Sequence, residues 1–301
     1  MALMAAAVVT GCGGGGDPIL GQGAGGVSNL PGINPAMLGA AAPFGIASTA
    51  GLTTSGPGVN TIHGDVVLIT TLTCNTDPVP GGSNTGGLGT CGGTTPTLTG
   101  TVFIPTNPDT TTATAAEAGL TAAYNKITAA GLPGATVLGC GTIGTGGDAG
   151  AGIGCNGNAT LPPGAYISNT SSSIGVTGDL TLDAQGNPNA VFVFQMPSST
   201  LITATAGSAA TRTRILLVNG AKASNVWWQV GSSATLGSYT EFQGNILASA
   251  SITMLTGTTS CGRLLAGEAS GAFVFAGNVI SVPGQSFSPP VAVPAYSTTC
   301  Q

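Results

Sequence analysis

The C-terminal third of the chain repeats itself, and the repeat has a short, strict period. Segments Ser233–Leu236, Ser251–Met254 and Gly271–Val274 begin 18 and 20 residues apart. Interleaved with them lie Trp227–Val230, Asn245–Ala248, Arg263–Ala266 and Asn278–Ser281, which begin 18, 18 and 15 apart. Two series sharing one period place at least two strands on different faces of every period. A coil of that length built from two or three short strands is the signature of a β-helix. One coil cannot bury its inward side chains alone. Stacked coils bury continuous columns of Leu, Ile and Val, while Gly and Asn turn the corners. A β-sandwich also uses short strands but has no need of a fixed period.

The rest of the chain agrees with an all-β reading. Apolar runs such as Asp65–Ile69, Thr101–Ile104, Ala190–Gln195, Ile215–Val218 and Ala272–Phe275 are bounded by Gly, Asn, Ser and Pro, as strands are. One segment differs. Over about 112–130, Ala116, Leu120, Ala123 and Ile127 fall at helical spacing and form one apolar stripe. Thr114 with Glu117 three residues on predicts a capping box, and Gly131 and Pro133 predict the stop. This helix is expected to lie along the β body with its stripe inward.

Charge excludes several functions. Only 5% of residues are charged, against roughly 25% in an average domain. The five basic residues, Lys126, Arg212, Arg214, Lys222 and Arg263, form no stripe, and the net charge is −5. Nucleic-acid binding needs clustered cations to displace phosphate counterions, so no nucleic-acid partner is expected. Catalysis, a cofactor and a metal are not expected either. His63 is the single histidine and reads as a turn residue. Asp65, Asp179 and Asp183 sit in turn contexts and are expected to bond backbone at the corners. Of Trp227 and Trp228, one should face the core and the other pack on the helix.

The N-terminus reads as an export signal. A short apolar run at 4–10 precedes Gly11 and Cys12, and four glycines follow. Val9 to Cys12 resembles the lipobox of bacterial lipoproteins, which implies a lipid on Cys12 and attachment to a membrane. The other reading is a free thiol left in a truncated signal. Residues 1–33 are then signal and linker, 34–283 the folded domain and 284–301 a tail. Setting Cys12 aside leaves six cysteines, too many for sequence to fix their pairing. Proximity favours Cys74–Cys91, Cys140–Cys155 and Cys261–Cys300, and such bridges imply an oxidising, extracellular or cell-surface location.

Several strings carry a family resemblance. They are 182–195 (LDAQGNPNAVFVFQ), 225–237 (NVWWQVGSSATLG), 242–248 (FQGNILA) and 262–266 (GRLLA). Together with Leu161–Tyr166 they resemble the ice-binding-like family over about 38–283. The resemblance implies a discontinuous right-handed β-solenoid of triangular section, with one long helix packed alongside. It also implies an ice crystal surface as the partner of a monomeric protein. Gly-rich stretches 75–96 and 139–158 read as insertions into that pattern.

Ice is a lattice with few charges to recognise, so a binder needs a flat, rigid, uncharged wall. The resemblance implies a wall on the face away from the helix. Alternation along the strands offers Ile246, Ala248, Leu264, Ala266, Val279 and Ser281 as that wall, with Leu247, Leu265 and Ile280 inward, and the reversed parity would make the six residues core. The rival wall carries Thr235 and Thr253, with Phe273 as the next equivalent position. Two other function classes fit the composition less well. One is a structural or adhesive surface solenoid. The other is a carbohydrate-active β-helix enzyme, which would require Asp179, Asp183 and Glu241 in one cleft.

Overall fold

The computed structural model describes residues 30–55, 58–69, 95–103, 110–150, 152–169, 173–204, 207–267, 272–284 and 300. Cys12, Cys74 and Cys91 lie outside these residues. The described strands form three parallel sheets of nine, seven and eight strands, and each of seven complete coils contributes one strand to each sheet. We name them the helix-side sheet, the threonine sheet and, after the bond from its Cys261 to Cys300, the tail-side sheet.

Spatial order departs from chain order at one place. The N-terminal strand Phe44–Ser48 pairs with Leu264–Ala266 on one side and with Asp65–Leu68 on the other. The first coils therefore stack on the C-terminal end of the body. The α-helix Thr110–Ile127 follows, and the chain re-enters at the opposite end with Thr136–Val137, the last strand of the helix-side sheet.

The core is built from in-register columns. On the inner side of the helix-side sheet, Tyr166, Phe194, Trp228, Ile246, Leu264, Ile46, Val66 and Val102 succeed one another from strand to strand. All eight are buried. The aromatic members stack, Tyr166 on Phe194 at 5.5 Å and Phe194 on Trp228 at 4.0 Å between centroids. Trp228 meets Phe242 of the tail-side sheet at 5.4 Å and donates its indole N–H to Gln243 O at 3.2 Å. That bond offsets the cost of burying the Trp228 indole N–H.

Glycine turns the corner between the tail-side and helix-side sheets. Gly244 and Gly262 have φ of 115° and 138°, a region L side chains rarely adopt. A Cβ on Gly262 would also lie 2.0 Å from Gly244 O in the coil beneath. Asparagine serves another corner: Asn278 N–H donates to Asn60 Oδ1 at 2.9 Å, and Asn278 Nδ2 to Leu255 O at 2.7 Å.

The helix begins a turn before its expected start. Thr114 lies inside it and is exposed, so the capping box with Glu117 does not form the N-terminus. Ala113 is buried one turn before Ala116 and extends the stripe. Burying an amphipathic face outweighs a local cap in deciding where a helix starts. The stripe Ala116, Leu120, Ala123 and Ile127 is buried in one cluster with Val67, Val193, Trp227, Leu247 and Leu265 of the helix-side sheet. Gln229 Nε2 donates to Tyr124 Oη at 2.8 Å, and Gln195 Nε2 to Ile127 O at 3.1 Å. Gly119 sits inside the continuous helix where the 3₁₀ turn Pro35–Ala41 crosses it. An added Cβ would lie 2.3 Å from Leu38 O.

Two bridges are formed among the described residues, Cys140–Cys155 and Cys261–Cys300, with Cα separations of 5.8 and 5.3 Å. The first belongs to the insertion at 139–158. Cys140 and Cys155 join Leu138 and Ile143 in the main core cluster, so the insertion closes the core where the terminal coil would otherwise expose it.

One side chain ties the two distant parts of the chain together. Arg263 Nε donates to Ala42 O at 2.8 Å across 221 positions, and Arg263 also reaches Asn245 Oδ1 at 3.3 Å. Burial pushes its guanidinium pKa down, so these acceptors are what hold the charge in place. Arg263→Ala should lower the unfolding free energy by about 1.5–3 kcal/mol, the cost of orphaning acceptors of a charged donor, read from denaturant titration.

Candidate functional site

The three outer faces differ in what covers them. The helix-side sheet carries the helix. Consequently its strands are apolar on both sides, and the wall chosen from alternation is the inner one. Ile246, Ala248, Leu264 and Ala266 all lie in the main core at 0–2% exposure, while Leu247 and Leu265 point outward into the helix cluster. Val279 and Ser281 are not on this sheet at all. Their strand, Val279–Ser281, pairs with Thr259–Cys261 on the tail-side sheet. Val279 is half-buried and Ser281 is buried beside the Cys261–Cys300 bridge. None of the six residues forms an exposed plane.

The tail-side sheet carries charge. Asp179 accepts two bonds from Arg214, at 2.6 and 2.5 Å. Glu241 pairs with Arg212. Asp183 accepts from Asn219 Nδ2 and from Gln185 N–H, both at 2.8 Å. The three carboxylates that a glycosidase reading would need together are each engaged with a partner of their own. Asp65 bonds backbone as expected, accepting from Thr101 N–H at 2.8 Å. His63 ends a strand rather than making a turn, with Thr99 Oγ1 3.4 Å from its Nδ1. Trp228 faces the core and Trp227 the helix cluster.

The threonine sheet is different. Two of its strands read apolar-polar-apolar, with Thr235 between Ala234 and Leu236 and Thr253 between Ile252 and Met254, and only the middle residue of each escapes burial. Register links these outward positions into one ladder: Thr53, Val274, Thr253, Thr235, Ile202, Gly175 and Thr142. Each rung is partly or fully exposed. None of the seven residues is ionisable. Adjacent rungs repeat at about 4.8 Å, the spacing that backbone hydrogen bonding imposes on paired strands. Beside the ladder, Ser173 Oγ lies 2.6 Å from Thr200 Oγ1 and 3.0 Å from Ser199 Oγ. Phe273, the sequence-aligned equivalent of Thr253, pairs with Ile252 and points inward; Val274 takes the outward place.

The ladder's rigidity comes from beneath. Ile252, Met254, Ala234, Leu236, Leu201, Ile174 and Val176 lie under it, at no more than 1% exposure. Close-packed interiors resist deformation, so the rungs are held in place without a ligand. None of the seven rungs carries an ionisable acid or base. What the ladder offers is an array of methyl and hydroxyl groups on a fixed repeat.

Comparison with known proteins agrees with this architecture. The ice-binding protein of Nostoc sp. (strain HG1) is 54% identical over 111 residues, covering 36% of this chain and 38% of that protein. Ice-binding protein 1 of Shewanella frigidimarina is 36% identical over 111 residues, covering 36% of this chain but 12% of its own. The chain thus matches well under two thirds of the length of these relatives. The crystal structure of the ice-binding protein from Antarctomyces psychrotrophicus superposes with a TM-score of 0.58 at 32% identity, covering 81% of this chain and 96% of the other. The Arctic yeast ice-binding protein LeIBP gives 0.63 at 27% identity, covering 85% and 96%. Residues 46–280 match the family described as ice-binding-like, and since that match runs through most of the folded body, the chain belongs to this family.

Proposed function

We propose that the protein binds ice through the outer face of the threonine sheet and so restrains ice growth or recrystallisation. The observation that carries this reading is the ladder: uncharged side chains in strict register on the wall that neither the helix nor the ion pairs occupy. Ice recognition requires surface groups to order water in a pattern of their own repeat. Charged groups would hold water in their own geometry instead. A surface already rigid loses little conformational freedom on adsorption, so contact energy is not spent on ordering.

The reading extends to the whole chain. The coil is taken as right-handed, the hand that parallel crossover connections overwhelmingly adopt. The helix-side sheet, being occupied, serves stability rather than contact. The bridges Cys140–Cys155 and Cys261–Cys300 suit an oxidising location outside the cytoplasm. Residues 34–283 act as one monomeric ice-binding unit, and a lipid on Cys12 would hold it at a cell surface.

The test is recrystallisation inhibition by the purified chain in a frozen sucrose film. Grain growth should be arrested by folded protein and should proceed normally with thermally unfolded protein at equal concentration. Equal grain growth in both would leave the fold serving the structural or adhesive role.

A further inference from the structure

We infer that Gly175 sets one edge of the ice-contacting plane, so that the rungs from Thr53 to Ile202 engage the lattice and Thr142 does not. This rests on the threonine sheet being the ice-binding face. Of the seven rungs, Gly175 alone has no side chain. A depression of about 440 Å³ opens there, lined by Thr142, Ser173, Thr177, Ile202 and Thr203 among others. At about 30 Å³ per liquid water it has room for on the order of ten waters. Water there would be ordered by the walls of the depression, among them the hydroxyls of Ser173 and Thr142, rather than by the repeat of the ladder. A second observation marks the same edge. Asp148 Oδ2 accepts from Thr142 N–H at 2.9 Å and is exposed, so the last rung stands beside a carboxylate. The plane is therefore continuous over five rungs and broken before the seventh.

The break is one that a side chain can fill. The backbone at Gly175 is outside the left-handed region, so its φ suits an L residue, and any adjustment falls on the neighbouring Thr142. An added Cβ would meet Thr142 Oγ1 at 3.0 Å and Cγ2 at 3.2 Å, the ends of a rotatable side chain. A threonine there would restore the rung and carry the plane on to Thr142.

The experiment compares Thr142→Tyr, Thr235→Tyr and Gly175→Thr by the lowest concentration that arrests recrystallisation, with near-ultraviolet circular dichroism checking each fold. Thr142→Tyr should stay within about twofold of the native chain and Thr235→Tyr should lose more than about tenfold, because contact energy falls away steeply once a gap opens. Gly175→Thr should gain at least about twofold, and adding Thr142→Tyr to it should cancel the gain. Thr142→Tyr as damaging as Thr235→Tyr would overturn the inference while leaving the face intact. So would a folded Gly175→Thr that gains nothing. If Gly175→Thr does not fold, the comparison of the two tyrosine variants decides. A harmless Thr235→Tyr would instead remove the face, and this edge with it.

Discussion

Thr235→Tyr is expected to abolish recrystallisation inhibition while leaving the folded state as stable as before. Thr235 is the fourth of the five continuous rungs, flanked on both sides, by Thr253 and Ile202. A phenol ring there stands several ångströms proud of its neighbours and holds them off a flat crystal. Losing the contacts of the rungs on either side costs affinity by about tenfold for each 1.4 kcal/mol forfeited. The same ring should do little to stability. The side chain points outward, tyrosine favours strands, and surface substitutions away from special features usually change stability by no more than about 0.5 kcal/mol. The melting temperature and the recrystallisation endpoint, measured on one sample, separate the two effects. Thr253→Tyr should behave alike, since Thr253 is the adjoining rung.

Trp228→Ala should produce the largest loss of stability of any single change. Its ring lies between Phe194 at 4.0 Å and Phe242 at 5.4 Å and is fully buried. Truncation removes the transfer energy of the indole and leaves a void that a stacked body cannot close. It also strips Gln243 O of its donor. Trp→Ala in a core costs about 3–5 kcal/mol, a large share of the roughly 5–15 kcal/mol that holds a domain together. Thermal unfolding should shift by many degrees, and ice activity should vanish only where the fold does. Trp228→Phe keeps most of the apolar volume and should recover most of the loss. A Trp228→Ala chain as stable as the native one would mean that the aromatic column is not the spine of the body.

Reading these walls from sequence succeeds and fails for physical reasons. The period is legible because each coil must return to the same three walls. The rungs Thr235 and Thr253 are legible because apolar-polar-apolar alternation marks a strand with one face in water. Alternation says nothing about Asn245–Ala248 and Leu264–Ala266, because the helix buries their outer faces as thoroughly as the core buries their inner ones. Assigning Ile246 and Leu264 outward therefore had no polar signal to correct it. The other misplacements come from unequal coils. Thr253 and Val274 are register partners 21 residues apart, not the 20 that separates the matched segments, so matching segments by motif slips Phe273 into the outward place. A slip of one residue inverts every side chain of a strand. Asn278–Ser281, spaced at 15, likewise belongs to the tail-side sheet and not to the series it resembles. Gly175 looks like any other glycine until register shows it to be a rung.

Ice-shell partitioning of purified chains tests the account most directly, since it scores adsorption without requiring any effect on growth. Three proteins would be compared while a single crystal is grown slowly into dilute solution: the native chain, the Thr235→Tyr/Thr253→Tyr chain, and a Thr181→Tyr chain altered on the outer side of the tail-side sheet. The native and Thr181→Tyr proteins should be concentrated in the ice, and the double variant should stay in the liquid. Entry of the double variant into ice, or exclusion of Thr181→Tyr, would place the contact on another wall.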